Sequence, residues 1–498
     1  MHKLHLLFYL NYKIAQRQNS VKKKIISTGV FTTINLIKSS VMLLLLPLHT
    51  HFLAPEEYGI VVTMSAVTTF FLAFNGLGIK GASLRFLADT KAFDDNEYMQ
   101  RLLSTLFTCA VLFSIAFCFV AALLLYGISF TASWQPWFYY GIFAILQATL
   151  MSPIFMYSEY LRVHLKNKKF LTLHINIITL IILSNLLFVA GLKLGVLGVF
   201  LSVLLSYSVG ILLCIYWLIK DNYKFDKALV KPLTIFGLNM LPHVIFSTLL
   251  PIVDRYIIVA LEGLEKVSFY TVINSLCAVL YTIAVNIGIT VRSVIYRYIE
   301  EGKYKDVHKL LQNCSAGLSV IAALWIIWAQ EIIMMLLPSS YYVSYDFVTI
   351  LSLRFLLHIG PTFYLAGILY HEGGNRKVSK LSFISLITII VLGYIFTTLY
   401  GVMGMALAGA ISAFTYLVLC CYQAKKINNQ TNWSIMHSIA PMLFIYAPIA
   451  LFIYLQGWQE DVNIYSILTK GLLSLIPIGL GYLILKYNSN KSREQKVV

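Results

Sequence analysis

The sequence is poor in charge: 12% of its 498 residues are Asp, Glu, Lys or Arg, whereas 59% are hydrophobic. A soluble domain needs more polar residues than this, because its water-facing positions outnumber its core positions. Long polar stretches are also missing, since the gaps between hydrophobic runs are mostly five to about twenty residues. These absences exclude a chain of soluble domains and predict an integral membrane protein.

Several chemical motifs are absent as well. The chain has no GxxxxGK[ST] phosphate loop, no HExxH sequence and no CxxC pair. These absences argue against nucleotide-driven transport and against a metal centre, so no cofactor or metal is predicted. The seven cysteines lie in or beside hydrophobic runs and are interpreted as small apolar residues. The net charge of +17 forms no continuous basic face, which argues against a nucleic-acid partner.

Hydrophobic runs long enough to cross the bilayer recur along the whole chain. About twenty apolar residues are needed to cross roughly 30 Å of hydrocarbon. The sequence predicts an all-α integral membrane protein with about fourteen spans. They lie at 26–48, 58–79, 102–127, 137–161, 170–191, 195–219, 232–260, 267–296, 310–337, 346–371, 379–399, 402–424, 435–456 and 464–486.

The distribution of Lys and Arg supports this map independently of hydrophobicity. Of the 38 basic residues, 31 lie in both tails and the even-numbered connections or at the span ends beside them, whereas the odd-numbered connections hold only Lys193 and Lys266. Such alternation is what the positive-inside rule requires. We therefore expect a multi-pass protein of the bacterial cytoplasmic membrane with both termini in the cytoplasm.

The chain also contains signs of duplication at an offset of 206 to 209 residues. The sequence at 195–198 resembles that at 401–404, and Arg101 before the third span corresponds to Lys309 before the ninth. Six spans per repeat is an even number, so the copies should insert with the same polarity. The pattern predicts two parallel six-helix lobes with a cleft between them, and two C-terminal helices outside the repeat. A basic, cytoplasmic N-terminal segment is predicted at 1–25, the N-lobe at 26–219, a cytoplasmic linker at 220–231 and the C-lobe at 232–424. The last two spans are predicted at 435–486 and a cytoplasmic tail at 487–498.

Basic residues within predicted spans are the candidate substrate-binding groups. A charge at mid-bilayer costs about 2.5 to 3.5 kcal/mol on insertion scales, so it is expected to face protein or water. The four cations proposed to line the cleft, where they suit phosphate, are Lys38, Arg255, Arg292 and Arg354. The alternative for each is a buried ion pair or a side chain reaching toward headgroups.

Three further polar residues in the spans are predicted to be structural or to carry a coupling proton: Asp254, Glu159 and His358. Asp254 and Arg255 are adjacent, so their side chains leave a helix about 100° apart, and Asp254 is interpreted as an ion-pair partner. Arg354 and His358 are four residues apart and should share a helix face. Coupling of transport to H⁺ or Na⁺ is left open.

Particular segments are similar to a known family. The segment Pro55–Gly59 (PEEYG), the Asp254-Arg255-Tyr256-Ile257 sequence and the glycine-rich stretch at 400–406 resemble polysaccharide flippases of the multidrug, oligosaccharidyl-lipid and polysaccharide exporter superfamily. The similarity runs over about residues 25 to 425. Ser268 departs from the family pattern, which usually has glycine there, and only part of the family has the two extra helices.

The resemblance implies a V-shaped pair of lobes that flips undecaprenyl-pyrophosphate-linked oligosaccharide repeat units by alternating access. The units would serve O-antigen, capsule or exopolysaccharide assembly, with membrane lipid and a polysaccharide polymerase and chain-length complex as partners. The alternatives are a peptidoglycan-precursor (lipid II-type) flippase, a cation-coupled multidrug exporter of the same fold, and a membrane polymerase or ligase. The excess of bases over acids in the spans disfavours the exporter, and the short outer connections disfavour the enzyme.

Overall fold

The computed structural model is helical throughout its described part. It describes residues 30–31, 33–34, 37–38, 41, 43–75, 86–87, 95–129, 135–249, 252–342, 345–369, 374–427, 433–456 and 464–497. The helices of the first part are α1 (Leu43–Phe52), α2 (Pro55–Phe74), α3 (Asn96–Ser129), α4 (Gln135–Val163), α5 (Asn167–Asn185), α6 (Gly195–Lys220) and α7 (Lys227–Leu249). A helix satisfies its backbone hydrogen bonds internally, which the hydrocarbon core requires.

The second part continues the same architecture. Its helices are α8 (Val253–Glu300), α9 (Tyr304–Leu336), α10 (Tyr345–Leu356), α11 (Ile359–Leu369), α12 (Gly374–Ile427), α13 (Met436–Pro441), α14 (Ala447–Gln456) and α15 (Ile464–Val497). A π-helical segment, Met442–Tyr446, joins α13 to α14. Eleven helical segments of the described residues are long and apolar enough to cross a membrane. The chain is therefore a multi-pass membrane protein.

Two long helices each contain a glycine that interrupts the helical backbone. Gly263 in α8 has φ +88° and ψ −176°, and Gly401 in α12 has φ +58° and ψ −144°. These angles are accessible mainly to glycine. The breaks fall where the sequence predicts the connections between spans 7 and 8 and between spans 11 and 12. The total of fourteen spans and the repeat stay predictions.

Two predicted spans are broken rather than continuous. The span at 232–260 contains the end of α7 at Leu249 and the start of α8 at Val253. Pro251 lies outside the described residues. The span at 346–371 comprises α10 and α11, which are separated before Pro361. Proline lacks the amide proton that would continue the helical hydrogen bonding, which explains the second break.

The contacts divide the chain into two compact units. The first contains the described residues of Met1–Phe52 and Val67–Ile245, and the second those of Leu53–Ala66 and Phe246–Val498. Tyr157 of α4 is fully buried in the first unit, with its ring 6.1 Å from Phe107 of α3 and 6.2 Å from Trp217 of α6. Aromatic packing of this kind holds α3, α4 and α6 together.

In the second unit α8 packs against α10, α11 and α12, while α9 packs against α13 and α15. The first turns of α2 also belong to this unit. A Cβ atom at Gly59 would lie 2.2 Å from the Leu264 carbonyl oxygen, so the two backbones are in close contact. Many large apolar side chains remain exposed, such as Phe119 and Leu124 of α3, each 65% exposed. Such positions face lipid in a membrane protein.

Candidate functional site

The first unit places Lys38 beside an imidazole and an aromatic ring. The Lys38 Nζ atom lies 3.3 Å from His174 Nε2 and 6.0 Å from the centre of the Phe170 ring. His174 is 2% exposed, and its ring meets that of Phe170 edge to face at 4.3 Å. Both partners come from α5, which holds the ammonium group against its N-terminal half.

A cavity of about 140 Å³ adjoins this group. Its lining includes Lys38, Glu159 and Arg162, together with His174. Glu159 forms an ion pair with Arg162, one turn further along α4. The structure therefore brings two of the predicted residues, Lys38 and Glu159, to the same cavity, and it gives Glu159 a nearby cation as its partner.

The second unit contains a buried ion pair between Asp254 and Arg354. Arg354 Nη1 donates to Asp254 Oδ2 at 3.0 Å and to the Tyr270 hydroxyl at 2.6 Å. The Tyr270 hydroxyl donates to the same Oδ2 atom at 2.9 Å. The side chains of Arg354 and Asp254 are 10% and 2% exposed. A buried charge pair persists only when its remaining hydrogen-bonding groups are satisfied, and Tyr270 contributes to that here.

Local features of two helices position this pair. Asp254 lies in the first turn of α8, where its Oδ1 accepts the backbone N–H of Arg255 at 2.9 Å. The positive end of the helix dipole favours a carboxylate at that position. On α12, a Cβ atom at Gly409 would lie 2.9 Å from Arg354 Cδ and 3.0 Å from Nε. Gly409 thus leaves the space that the guanidinium of Arg354 occupies.

Arg255 is half-buried and differs from Arg354 in its electrostatic environment. Among the described residues, no carboxylate forms an ion pair with it. Its charge acts instead on the phenols of Tyr58 and Tyr256. Tyr58 belongs to the Pro55–Gly59 segment, so the two most specific family-like segments of the sequence lie together in the second unit.

The two remaining predicted residues have different outcomes. Arg292 lies in α8, but its side chain is outside the described part of the structure. His358 does not lie in the same α-helix as Arg354, because α10 ends at Leu356 and His358 lies in the turn before α11. The common face predicted for the two residues stays a prediction. The ring of His358 meets that of Tyr281 edge to face at 5.0 Å.

Several residues that contact the predicted site residues, and one further ion pair, were not predicted from the sequence. His174 and Tyr270 carry no distinctive sequence signal, because lone histidines and tyrosines are common in spans. A second intramembrane ion pair joins Lys470 of α15 to Glu331 of α9 at 2.6 Å, with side chains 7% and 17% exposed. Both lie inside predicted spans, so the same insertion-cost argument would have identified them. They attach the last helix to α9.

The charged groups of the described residues do not form a metal site: no cluster of three or more His, Cys, Asp or Glu side chains has a suitable arrangement there. The sequence itself matches a profile of the family described as polysaccharide biosynthesis protein over residues 25–291, more than half of the chain. The chain belongs to this family. The matched region of this polysaccharide biosynthesis protein contains Lys38, Glu159, Asp254 and Arg255.

Solved structures share the fold at low sequence identity. The lipid II flippase MurJ, in an inward closed conformation, matches with a TM-score of 0.61 and 15% identity over 95% of this chain and 99% of its own. An inward-facing MATE multidrug resistance transporter of the MOP superfamily matches with a TM-score of 0.57 and 15% identity, over 80% of this chain and 96% of its own. The Vibrio cholerae MATE transporter VcmN, in its bent form, matches with a TM-score of 0.53 and 14% identity, over 82% of this chain and 98% of its own. No curated protein matches the sequence. This polysaccharide biosynthesis protein therefore has the MOP superfamily fold of flippases and exporters.

Proposed function

We propose that this protein is a secondary flippase that carries undecaprenyl-pyrophosphate-linked oligosaccharide repeat units from the cytoplasmic to the outer leaflet of a bacterial membrane by alternating access. Membership of the polysaccharide biosynthesis family and the flippase and exporter fold support this assignment. No chemical bond is formed or broken in such a reaction. The protein has only to lower the cost of moving a charged headgroup through hydrocarbon.

The observation that carries the proposal is the half-buried cation Arg255, for which the described residues supply no carboxylate partner. A charge held at membrane depth is costly, so it is kept where an anion interacts with it. The guanidinium fork matches phosphate oxygens in pairs. In this proposal Arg255 in the second unit and Lys38 in the first are each substrate-binding cations. Arg354, already paired with Asp254, holds in place the first turn of α8, which contains Arg255.

A second candidate is a lipid II-type flippase. The observation in its favour is that the match to MurJ covers 95% of this chain, whereas the matches to the MATE structures cover 80% and 82%. Both candidates carry a polyprenyl-diphosphate glycan, so they share the same headgroup chemistry. They differ in the sugar attached and in whether the cell survives without the protein.

A complementation experiment tests the role of the cations. In a strain lacking the gene, Arg255→Ala and Lys38→Ala are expected to reduce surface glycan at least about tenfold, because loss of one charge-assisted hydrogen bond to phosphate costs about 1.5 to 3 kcal/mol. The measurement is immunoblotting or sugar analysis of surface polysaccharide, normalised to the amount of protein in the membrane.

Two exposed lysines provide matched controls. Lys266 lies in the same unit as Arg255, and Lys168 lies in the same unit as Lys38, so the control variants are Lys266→Ala and Lys168→Ala. Both should support normal glycan export. Normal export by the Arg255 and Lys38 variants would contradict the assignment of these cations to the substrate.

The location of accumulated substrate separates the function classes. A flippase-deficient strain should accumulate lipid-linked repeat units that a periplasmic glycosidase cannot reach. A polymerase or ligase defect would leave single units accessible on the outer leaflet. A lipid II-type flippase would instead be required for growth, and a multidrug exporter would change drug resistance without changing glycan.

A further inference from the structure

A cavity of about 550 Å³ lies in the second unit, away from the cations discussed above. It is formed where the start of α9 meets α13 and the later turns of α15. Arg297, Lys303 and Lys305 lie between the predicted spans 267–296 and 310–337, so the positive-inside rule predicts that this end of the helices is cytoplasmic. Nothing in the proposed transport step uses this cavity.

One side of the cavity is polar and basic. Lys305 and Lys309 are one helical turn apart on α9, with the half-buried His308 between them in sequence. The ring of His308 stacks on that of His437 from α13 at 4.3 Å with an interplanar angle of 16°. Among the described lining residues, Asp306 is the one carboxylate beside the two lysines, so this part of the lining contains more cationic than anionic side chains.

Other contacts keep this arrangement in place. Trp433 meets the ring of His308 edge to face at 5.6 Å. Asn488 of α15 is 9% exposed, and its Nδ2 donates to Asn313 Oδ1 of α9 at 2.8 Å. These contacts connect α9 to α13 and to α15 around the cavity, so its walls are held in place by packing between helices.

Another part of the cavity lining is apolar. Pro441, Phe444 and Ile484 line it, and Phe444 is 68% exposed. Further along the same span, Leu451 and Leu455 are 59% and 74% exposed. A cationic end continuous with an apolar, lipid-facing surface fits an amphiphile with a phosphate headgroup and acyl chains. A free phosphate would use only the basic side.

We infer that this cavity binds an anionic glycerophospholipid of the inner leaflet, with the phosphate between Lys305, Lys309 and the imidazole pair, and the acyl chains along Phe444. Basic pockets between membrane helices on the cytoplasmic side recognise anionic headgroups by this chemistry. The lipid would connect α9 to the two C-terminal helices. This inference does not depend on the identity of the transported glycan.

Native mass spectrometry of the purified full-length protein, titrated with phosphatidylglycerol, tests the site. The Lys305→Gln/Lys309→Gln variant should retain the lipid about tenfold less well, because it removes both lysines that would bind the phosphate. The matched control, Lys425→Gln/Lys426→Gln, removes two exposed lysines from the end of α12 and should retain it normally. Lys305→Arg/Lys309→Arg should also retain it.

Different ligands distinguish the sources of the headgroup. Phosphatidylcholine should bind more weakly than phosphatidylglycerol, and inorganic phosphate should not displace phosphatidylglycerol at equal concentration. Phe444→Ala should weaken lipid retention because it removes part of the apolar wall. Equal loss in both glutamine variants, equal binding of the two phospholipids, or full displacement by phosphate or by the lipid-linked glycan would overturn the inference.

Discussion

Individual charges in this protein differ in function according to their partners. Arg354 and Asp254 neutralise each other in the interior of the second unit, with Tyr270 bonded to both. Arg255, the next residue after Asp254, has no carboxylate partner among the residues described. Adjacent positions on one helix thus provide a member of a buried ion pair and the cation that the proposed function assigns to the substrate.

The ion pair predicts strong coupling between its members. Arg354→Ala or Asp254→Ala alone should destabilise the protein by about 3–5 kcal/mol, because each leaves an uncompensated buried charge. The double variant should be less destabilised than the sum of the two. The measurement is the midpoint of thermal unfolding in detergent.

An arginine on the surface provides the control for the two single variants and the double variant of the buried pair. Arg297 is 63% exposed and lies 3.9 Å from Glu301, so Arg297→Ala should change stability by about 0–1 kcal/mol. Strictly additive effects of the two buried substitutions would show that Arg354 and Asp254 are not coupled.

The sequence identified both members of this pair from the insertion cost of a charge, and it interpreted Asp254 as a pairing residue. It did not identify Arg354 as the partner, because the two residues are a hundred positions apart and only packing of α8 on α10 brings them together. The same limit applies to Lys38 and His174.

At the scale of helices, glycines determine where long helices change direction. Gly263 and Gly401 adopt backbone angles that a residue with a Cβ atom reaches only with strain. Near the second break, a Cβ atom at Gly404 would lie 1.8 Å from the Phe396 carbonyl oxygen. The glycine-rich 400–406 stretch is therefore required both for the turn and for the close approach of the helix segments around it.

Substitution of the glycine at the break in α12 should therefore lower the stability of the protein. Gly401→Ala is expected to destabilise the protein by about 1–3 kcal/mol, because alanine at φ +58° is strained. The midpoint of thermal unfolding and the yield of monodisperse protein report this change.

A glycine within a regular helix provides the control. Gly479 in α15 has no atom within 4 Å of a Cβ position, so Gly479→Ala should be neutral or slightly stabilising, by up to about 1 kcal/mol. Equal effects of the two substitutions would contradict the requirement for glycine at position 401.

At the scale of the whole molecule, the fold is that of MOP superfamily flippases and exporters, and residues 25–291 belong to the polysaccharide biosynthesis family. The last helix, α15, is attached to α9 of the second unit through the Lys470–Glu331 pair and a hydrogen bond from Trp328 Nε1 to Ser474 Oγ at 3.0 Å, and α13 also packs against α9. The last two predicted spans are thus part of a packed unit.

The charge distribution predicts the orientation of the whole chain. In intact cells, a membrane-impermeant thiol reagent should label Lys266→Cys, in an odd-numbered connection, and leave Lys303→Cys unlabelled until the membrane is permeabilised. The unsubstituted protein is the background control, because its seven cysteines are buried or half-buried. Labelling of Lys303→Cys from outside would reverse the predicted topology.

The sequence by itself determined the membrane class, the connections in which the two glycine breaks lie and the family, because hydrophobic length and local motifs are properties of neighbouring residues. Only the tertiary structure decided which charges pair, which helix α15 attaches to and where cavities form. Those outcomes depend on contacts between residues far apart in the chain, and side-chain packing between helices leaves no periodic signal in a single sequence.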